Sequence, residues 1–257
     1  MQDLVSIIMP SYNCGQYVED TIRCVQAQTY QNWEIIFVDD CSTDDSVAKV
    51  MAMKEKDDRI SIFHNARNSG AAVSRNAALR HANGRWIAFL DSDDLWESEK
   101  LEKQVRFMEE NGYKFSYTYY EEMDADGNDT GVMVLGPRKI TKAGMLAFCW
   151  PGCLTVMYDA SVVGLIQIED IKKNNDYAMW LKVCQKADCY LLPEVLAKYR
   201  RGRSGSVSSH SISTMIKWHY KLFHDAEGMG VFSSLWHTGV NLVCGFYKKR
   251  KYVKKIK

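Results

Sequence analysis

Three carboxylates crowd four positions at Asp91-Ser92-Asp93-Asp94, directly behind the apolar run Trp86-Ile87-Ala88-Phe89-Leu90. Clustered carboxylate oxygens suit a hard divalent cation, and such a cation can in turn grip a diphosphate. The run before them reads as a strand buried on both faces of a parallel sheet. In open α/β sheets, ligands gather at the carboxyl ends of such strands. A second apolar run, Trp33 to Val38, also ends in acids, Asp39-Asp40. A competing reading makes Asp91 to Asp94 only a polar turn that caps a helix starting near Glu97. Two strands that both deliver acids at their ends favour the first reading.

The elements that must hold these acids follow from the hydrophobic period. Leu4 to Met9 is a first buried strand, stopped by Pro10, and Ser11-Tyr12-Asn13 with Gly15 forms its loop. Val18, Ile22, Val25 and Ala27 mark a helix face. After the Trp33–Val38 strand, a helix from about Asp45 to Lys54 leads to a strand at Ile60 to Phe63. Asn68-Ser69-Gly70 opens another helix, ended by Asn83-Gly84, and the acidic strand follows. Four strands alternating with three helices in about ninety residues spell βαβ units on a parallel sheet.

Further on, a helix is expected from about Ser98 to Glu110 and a strand from Phe115 to Tyr120. Asp124-Ala125-Asp126-Gly127-Asn128 reads as a hairpin turn. It lacks the sixth-position glycine and twelfth-position glutamate of a calcium loop. A short helix near Thr141 to Phe148, a strand at Leu154 to Tyr158 and an amphipathic helix at Asp176 to Gln185 come next. Tyr190 to Leu192 and Val195 to Tyr199 read as short strands, and the Gly/Ser/Arg-rich Arg200 to Ser209 as a mobile segment.

Composition narrows the function. The chain has 257 residues and a net charge of +1, but Lys248 to Lys257 carry seven Lys or Arg and no acid. The body is therefore net acidic, which argues against a nucleic-acid-binding face. Eight cysteines without a C-x-x-C pair read as reduced thiols of a cytoplasmic protein. A strand beginning at Leu4 leaves no room for a secretory leader, and no apolar run reaches the length of a membrane span.

Taken in order, Val5-Ser-Ile-Ile-Met-Pro-Ser-Tyr-Asn13, Val38-Asp-Asp-Cys-Ser-Thr-Asp44, Asn68-Ser-Gly-Ala-Ala-Val-Ser-Arg-Asn76 and Asp91-Ser-Asp-Asp94 resemble the motifs of glycosyltransferase family 2. The resemblance covers roughly residues 4 to 207 and rests on four motifs in the right order and spacing. It implies a GT-A fold, a Rossmann-like, mostly parallel central sheet flanked by helices. It also implies an inverting, metal-dependent transferase of the hexosyltransferase type that uses a nucleotide sugar, with UDP as the expected carrier and Mn2+ or Mg2+ as the cation. Within that resemblance, Tyr12 matches the aromatic that stacks on the donor base, Asp40 the carboxylate that hydrogen-bonds it, and Asp39 and Pro10 their neighbours. Arg75 matches a basic residue lining the nucleotide pocket, Asp91 with Ser92 the residues near ribose and metal, and Asp93 the metal ligand. Asn175-Asp176-Tyr177 resembles the family's acidic helix start, making Asp176 the candidate base; the family often has Glu where Asn175 stands.

The chemistry is coherent on physical grounds. A departing diphosphate needs its charge neutralised, and an attacking hydroxyl must lose its proton to a group such as a carboxylate. The start of a helix favours an ionised carboxylate. Arg200, Arg201 and Arg203 could close over the diphosphate and exclude water. Alternatively Asp176 is only a helix cap, Tyr12 a core aromatic and the arginines solvated surface.

The expected organisation is a transferase domain over 1–210, with a nucleotide-binding half at about 1–96 and an acceptor half at about 97–210. A helical, basic C-terminal extension covers 211–257. From Val231 to Tyr247 no fully charged residue occurs, and Phe232, Leu235, Trp236, Val240, Leu242, Val243 and Phe246 recur at helical spacing before the basic run. That composition suits an anionic membrane surface, or else a helix packed on the domain or on a partner protein. A membrane site would place the protein peripherally on the cytoplasmic face, acting on a glycan or lipid-linked acceptor in cell-surface polysaccharide synthesis. Processive relatives carry a Gln-x-x-Arg-Trp motif that this sequence lacks. A sugar nucleotidyltransferase would need a glycine-rich basic loop where Pro10-Ser11-Tyr12-Asn13 stands. A catalytically inactive sugar-nucleotide-binding module would be expected to have lost one of Asp40, Asp93 and Asp176.

Overall fold

A computed structural model of the chain describes residues 3–169, 171–202 and 212–256. Its first half is β1 (Val5–Ser11), α1 (Val18–Gln26), β2 (Trp33–Asp39), α2 (Ser46–Lys54), β3 (Ile60–His64), α3 (Ala71–Arg80) and β4 (Trp86–Phe89). β1 lies between β2 and β4, all three parallel, and β3 extends the sheet beyond β2. The chain thus winds outward from β1 to β3 and then returns to the other side of β1. The crossovers part between β1 and β4, so the carboxyl ends of these two strands flank the topological switch point.

The second half begins with β5 (Leu95–Trp96), α4 (Lys100–Asn111), β6 (Phe115–Met123), β7 (Asp129–Val134), β8 (Lys139–Ile140) and α5 (Lys142–Ala147). A 3₁₀ turn (Cys153–Thr155), β9 (Met157–Asp159), α6 (Ala160–Val163), α7 (Asn175–Val183) and β10 (Cys189–Arg200) follow. The chain ends in α8 (Ile212–Lys221), a π-helical turn (Leu222–Ala226), α9 (Val231–Lys251) and β11 (Val253–Lys255). Antiparallel β9 bridges β4 and β6 and so joins both halves into one sheet, ordered β11-β7-β6-β9-β4-β1-β2-β3. β10 runs parallel to β6 and carries the short β5 and β8.

Alternation along β1 explains why the strands read as continuous apolar runs. Val5, Ile7 and Met9 pack on one face with Ile22 of α1 and Leu101 and Val105 of α4. Ile8 faces the other core, with Leu79 of α3 and Met179, Trp180 and Val183 of α7. Both faces are covered, so the strand is apolar apart from Ser6, which donates to Glu34 Oε1 at 2.6 Å, until it ends at Ser11.

Several expectations shift. The Leu154–Tyr158 strand is shorter, because Gly152 O accepts from both Thr155 N (3.0 Å) and Thr155 Oγ1 (2.7 Å) and closes a turn there. The two short strands after Cys189 are one strand, with register shifts between Leu192 and Val195 and between Val195 and Lys198. Pro193 lacks an N–H to give the ladder, and an irregularity at this point accommodates it. The Asp124 turn is the expected hairpin, its Oδ1 accepting from Asp126 N and Asn128 N at 2.9 Å each. Arg200 is not part of a mobile segment but the buried last residue of β10. Arg203 lies outside the described residues. No disulfide forms among the described cysteines.

One buried cation is separate from the site. Lys100, fully buried at the start of α4, donates to Gln104 Oε1 at 2.8 Å and lies 4.0 Å from the Trp96 ring centre. Burial pushes its ammonium down to about 7, against a small opposing influence of Cys24. Between that value and the unfolded lysine's ordinary one, the unfolded chain binds more protons, so this site's penalty lifts as pH rises through the window. Lys100→Met should be more stable than the native chain near pH 6 by about 1–3 kcal/mol, and the gap should close by about pH 10. Melting curves of both chains across that range check it; a gap independent of pH would contradict it.

Candidate active site

The loops at the switch point are stitched to one another. After β1, Asn13 Oδ1 accepts from Thr43 N (2.8 Å), and Asn13 N donates to Ser42 Oγ (2.9 Å). Cys14 N donates to Ser46 Oγ and Gly15 N to Asp44 Oδ2, at 2.9 and 2.8 Å. The donors from Ser46 and Gly15 outweigh partial burial and hold Asp44 below the usual carboxylate range. This frame presents Tyr12, whose surface is 46% exposed, at the rim of the crevice. Pro10 and Ser11 are buried beneath it at the end of β1.

Asp39 and Asp40 are both buried but differently engaged. Asp39 accepts from Ser42 N on both oxygens (3.1 and 3.3 Å) and lies 3.6 Å from His64 Nδ1. Asp40 Oδ1 accepts from Asn65 Nδ2 (2.7 Å) and Ser69 N (2.8 Å), and its Oδ2 from Gly70 N (2.7 Å). Gly70 aims that N–H from φ +88°, a left-handed conformation glycine adopts freely. A carboxylate has about four acceptor positions, so Asp40 retains one.

Arg75 joins the two halves of the site. This buried guanidinium on α3 donates from Nη2 to Asp91 Oδ1 (2.6 Å) and from Nη1 to Asn175 Oδ1 (2.5 Å). Burial alone would depress it, but neighbouring negative groups, Asp91 foremost and Asp176 among them, hold it above its ordinary range. Its Nε is buried with no hydrogen-bond partner among the described residues. Asp176 follows Asn175 in the first turn of α7 and accepts from Tyr177 N at 2.8 Å. Cys153 lies among these groups. Burial drives its thiol well above the usual range, and Arg75, Asp91, Asp176 and Asp94 all act on it electrostatically. The ends of β4, α3 and α7 therefore surround one point.

Arg200 holds the other side of the acidic turn. Its backbone N donates to Asp94 Oδ1 and its Nε to Asp93 O, both at 2.8 Å, while Nη1 reaches Ala125 O at 3.0 Å. Burial, reinforced by Asp93 and Asp91, raises the Asp94 carboxyl well above its ordinary value. Ser92 and Asp93 are buried in the same turn. Arg201 stays half-exposed, 3.3 Å from Glu122 Oε1. Tyr12, Asp39, Asp40, Arg75, Asp91, Asp93 and Asp176 all stem from this end of the sheet. Asn65, Asn175 and Asp94 are additions that sequence reasoning missed as working parts. Asn175 carried a signal as the residue beside the candidate base and Asp94 as one of the three clustered carboxylates, whereas Asn65 carried none.

Non-glycine residues with positive φ, among the described residues, are Asn13 (49°), Cys41 (64°) and Asn174 (60°). They adjoin Tyr12, Asp40 and Asn175 respectively. Such strain persists where surrounding structure over-determines it, and it concentrates at functional sites.

Comparison with known proteins bears on the family and the fold. Residues 6–145 match the sequence profile of glycosyl transferase family 2. TuaG of Bacillus subtilis (strain 168), a glycosyltransferase assigned to teichuronic acid biosynthesis, is 40% identical over 234 residues, 91% of this chain and 92% of that one. WfgD of Escherichia coli, named as a UDP-Glc:alpha-D-GlcNAc-diphosphoundecaprenol beta-1,3-glucosyltransferase, is 38% identical over 214 residues, 82% of each chain. S. aureus TarS 1–349 in complex with UDP superposes with a TM-score of 0.71 at 18% identity, covering 96% of this chain and 73% of that one. The mannosyltransferase PcManGT of Pyrobaculum calidifontis, solved with GDP-Man and Mn2+, gives 0.68 at 17% identity, over 93% of this chain and 70% of that one. At these identities the structural likeness speaks for the fold alone.

The two ends of the nucleotide side should respond differently to truncation. Asp40→Ala leaves three donors without their acceptor and should cost about 1–3 kcal/mol. Tyr12→Ala removes an exposed ring and should stay within about 0.5 kcal/mol of the native chain. Chemical denaturation measures both; equal losses would contradict the division of labour.

Proposed function

The chain belongs to glycosyltransferase family 2 and has the GT-A fold, and from that premise we propose an inverting, non-processive transfer from a nucleotide diphosphate sugar to a hydroxyl of a lipid-linked glycan. The carrying observation is Arg75, which binds Asp91 at the donor end and Asn175 beside Asp176 at the acceptor end. UDP is the expected carrier, as in the name of WfgD and the complex of TarS. The polysaccharide context and the diphosphoundecaprenol acceptor of WfgD support a lipid-linked acceptor here.

In this reading, residues of about 1–96 hold the donor, about 97–210 the acceptor, and 211–257 form an extension. Tyr12 stacks on the base, and the one acceptor position left on Asp40 takes a base N–H, with Asp39 bracing the loop. Arg75 Nε, the buried donor without a partner among the described residues, is suited to an anionic oxygen of the ligand. Arg201, with Arg200 fixed behind it, lies toward the diphosphate.

Among the described residues no group of three or more His, Cys, Asp or Glu could hold a metal by itself. Asp93 and Asp91 nevertheless fit a cation that arrives with its substrate, since magnesium-like ions are commonly held by one or two carboxylates plus phosphate oxygens. Mn2+ or Mg2+ bound there would offset the negative charge of the departing diphosphate. Asp176, at a helix start and facing the same point, accepts the proton of the incoming hydroxyl. No helix among the described residues is long and apolar enough to cross a membrane; in this reading the enzyme meets its lipid-linked acceptor as a peripheral protein on the cytoplasmic face.

Asp176→Asn should bind UDP with manganese within about twofold of the native chain, yet lose donor hydrolysis by roughly 100-fold or more. Calorimetry and release of free UDP measure the two. Hydrolysis at the native rate would remove Asp176 from the mechanism. Asp93→Asn should lose the extra thermal stabilisation that manganese adds to UDP; a stabilisation equal to native would remove Asp93 as the metal ligand.

A further inference from the structure

α9 is built inside out. Its buried residues are the polar Ser234, Thr238 and Asn241, while Phe232 (89% exposed), Trp236 (70%), Val243 (70%) and Phe246 (71%) face outward. Those four positions, with Leu235 and Tyr247, fall on one stripe at helical spacing. Around Gly239 the stripe opens into an apolar groove lined by Leu235, Trp236, Val240, Val243 and Cys244.

The helix is fixed with this face outward. Asn241 Nδ2 donates to Tyr177 Oη at 2.9 Å, and Thr238 Oγ1 to Ser234 O at 2.7 Å. Lys248 Nζ donates to Trp150 O at 2.8 Å, its ammonium depressed by burial. Beyond the helix, β11 pairs antiparallel with β7, Val253 opposite Val134. Rolling α9 over to bury the aromatics would break the contacts of Asn241, Lys248 and β11 at once. No described part of the chain covers the apolar stripe.

The charge beside it points to what would cover it. Lys249, Arg250, Lys251, Lys254 and Lys255 are exposed at the end of the stripe, and no acid occurs between Val231 and Ile256. A second copy docking through this face would offer those cations no acid from its own Val231–Ile256 segment. An anionic lipid surface complements it, with the aromatic residues at the acyl boundary and the cations at the headgroups.

We propose that the outer face of α9, from Phe232 to Phe246 together with Lys249–Lys251 and Lys254–Lys255, is a preformed docking surface for an anionic bilayer. The docking stands independently of sugar transfer; its bearing on acceptor access rests on the function proposed above. Because Asn241 of the docked helix holds Tyr177, the neighbour of Asp176, docking fixes the base-bearing helix relative to the lipid plane. Lipid-linked acceptors would then arrive from that side.

The test uses the full chain, since removing the tail would also strip β11 from the sheet. Flotation is measured with vesicles of phosphatidylcholine alone and with about 30% phosphatidylglycerol added. The native chain should bind the anionic vesicles and weaken as salt rises. Trp236→Ser with Phe246→Ser should lower binding by roughly tenfold or more at unchanged melting temperature. Lys249→Ser with Arg250→Ser and Lys251→Ser should remove the preference for anionic lipid. Equal flotation of the native and aromatic-substituted chains overturns the proposal. So does a dimer in sedimentation that disappears in the aromatic variant while vesicle binding is absent, which would assign the face to a second copy. Absence of donor hydrolysis in every form, with lipid binding intact, would count against the transferase reading alone.

Discussion

A guanidinium shut away from water must be matched by fixed partners, and that requirement at Arg75 holds the site together. Its two terminal nitrogens reach Asp91, at the end of β4, and Asn175, at the start of α7. These residues are far apart in sequence and belong to different halves of the chain. Breaking either contact would leave a buried charge underpaired, which is costly in a low-dielectric interior. The tip of β4 and the start of α7 are therefore locked at a set distance before any ligand arrives. Such preorganisation lets binding energy go into the reaction instead of ordering the protein.

The sheet explains why this end of the molecule has room for chemistry. Parallel strands covered on both faces exclude most polar groups along their length and release them mainly at their tips. The switch point between β1 and β4 then leaves a crevice where the tips meet. Around its rim, the backbone is held at positive φ at Asn13, Cys41 and Asn174. A β-carbon makes that conformation unfavourable, so each residue is kept there by neighbours, as Asn13 is by Ser42 and Thr43. The shape of the rim is a property of the whole fold.

Much of this was legible in the residues themselves. The alternation of apolar runs and helix faces in the first ninety residues pointed to the parallel pairing of β1 to β4, though not to their order, because burial on both faces leaves a plain pattern. The acids at the strand ends were equally plain. The second half was less so. Pro193 split β10 into two apparent strands, and β5, β8 and β11 are too short to show a period. Arg200 misled for a different reason. A basic residue opening a Gly/Ser-rich stretch reads as mobile, and only the partners Asp93, Asp94 and Ala125, distant in sequence, make it a fixed staple. Asp40 read as a ligand contact, yet its three partners, Asn65 after β3 and Ser69 and Gly70 before α3, are invisible without the fold. Pairwise contacts across a hundred residues leave no trace in a single sequence.

The pairing of β11 with β7 carries one more consequence. It makes β11 the outermost strand on that side of the sheet, with an open row of backbone donors and acceptors. Such rims invite strand addition by other molecules and hence aggregation, and natural proteins blunt them with lysine and by keeping them short. Lys254 and Lys255 occupy this three-residue strand. Lysines on so short a rim strand disfavour edge-to-edge pairing with a strand of another molecule.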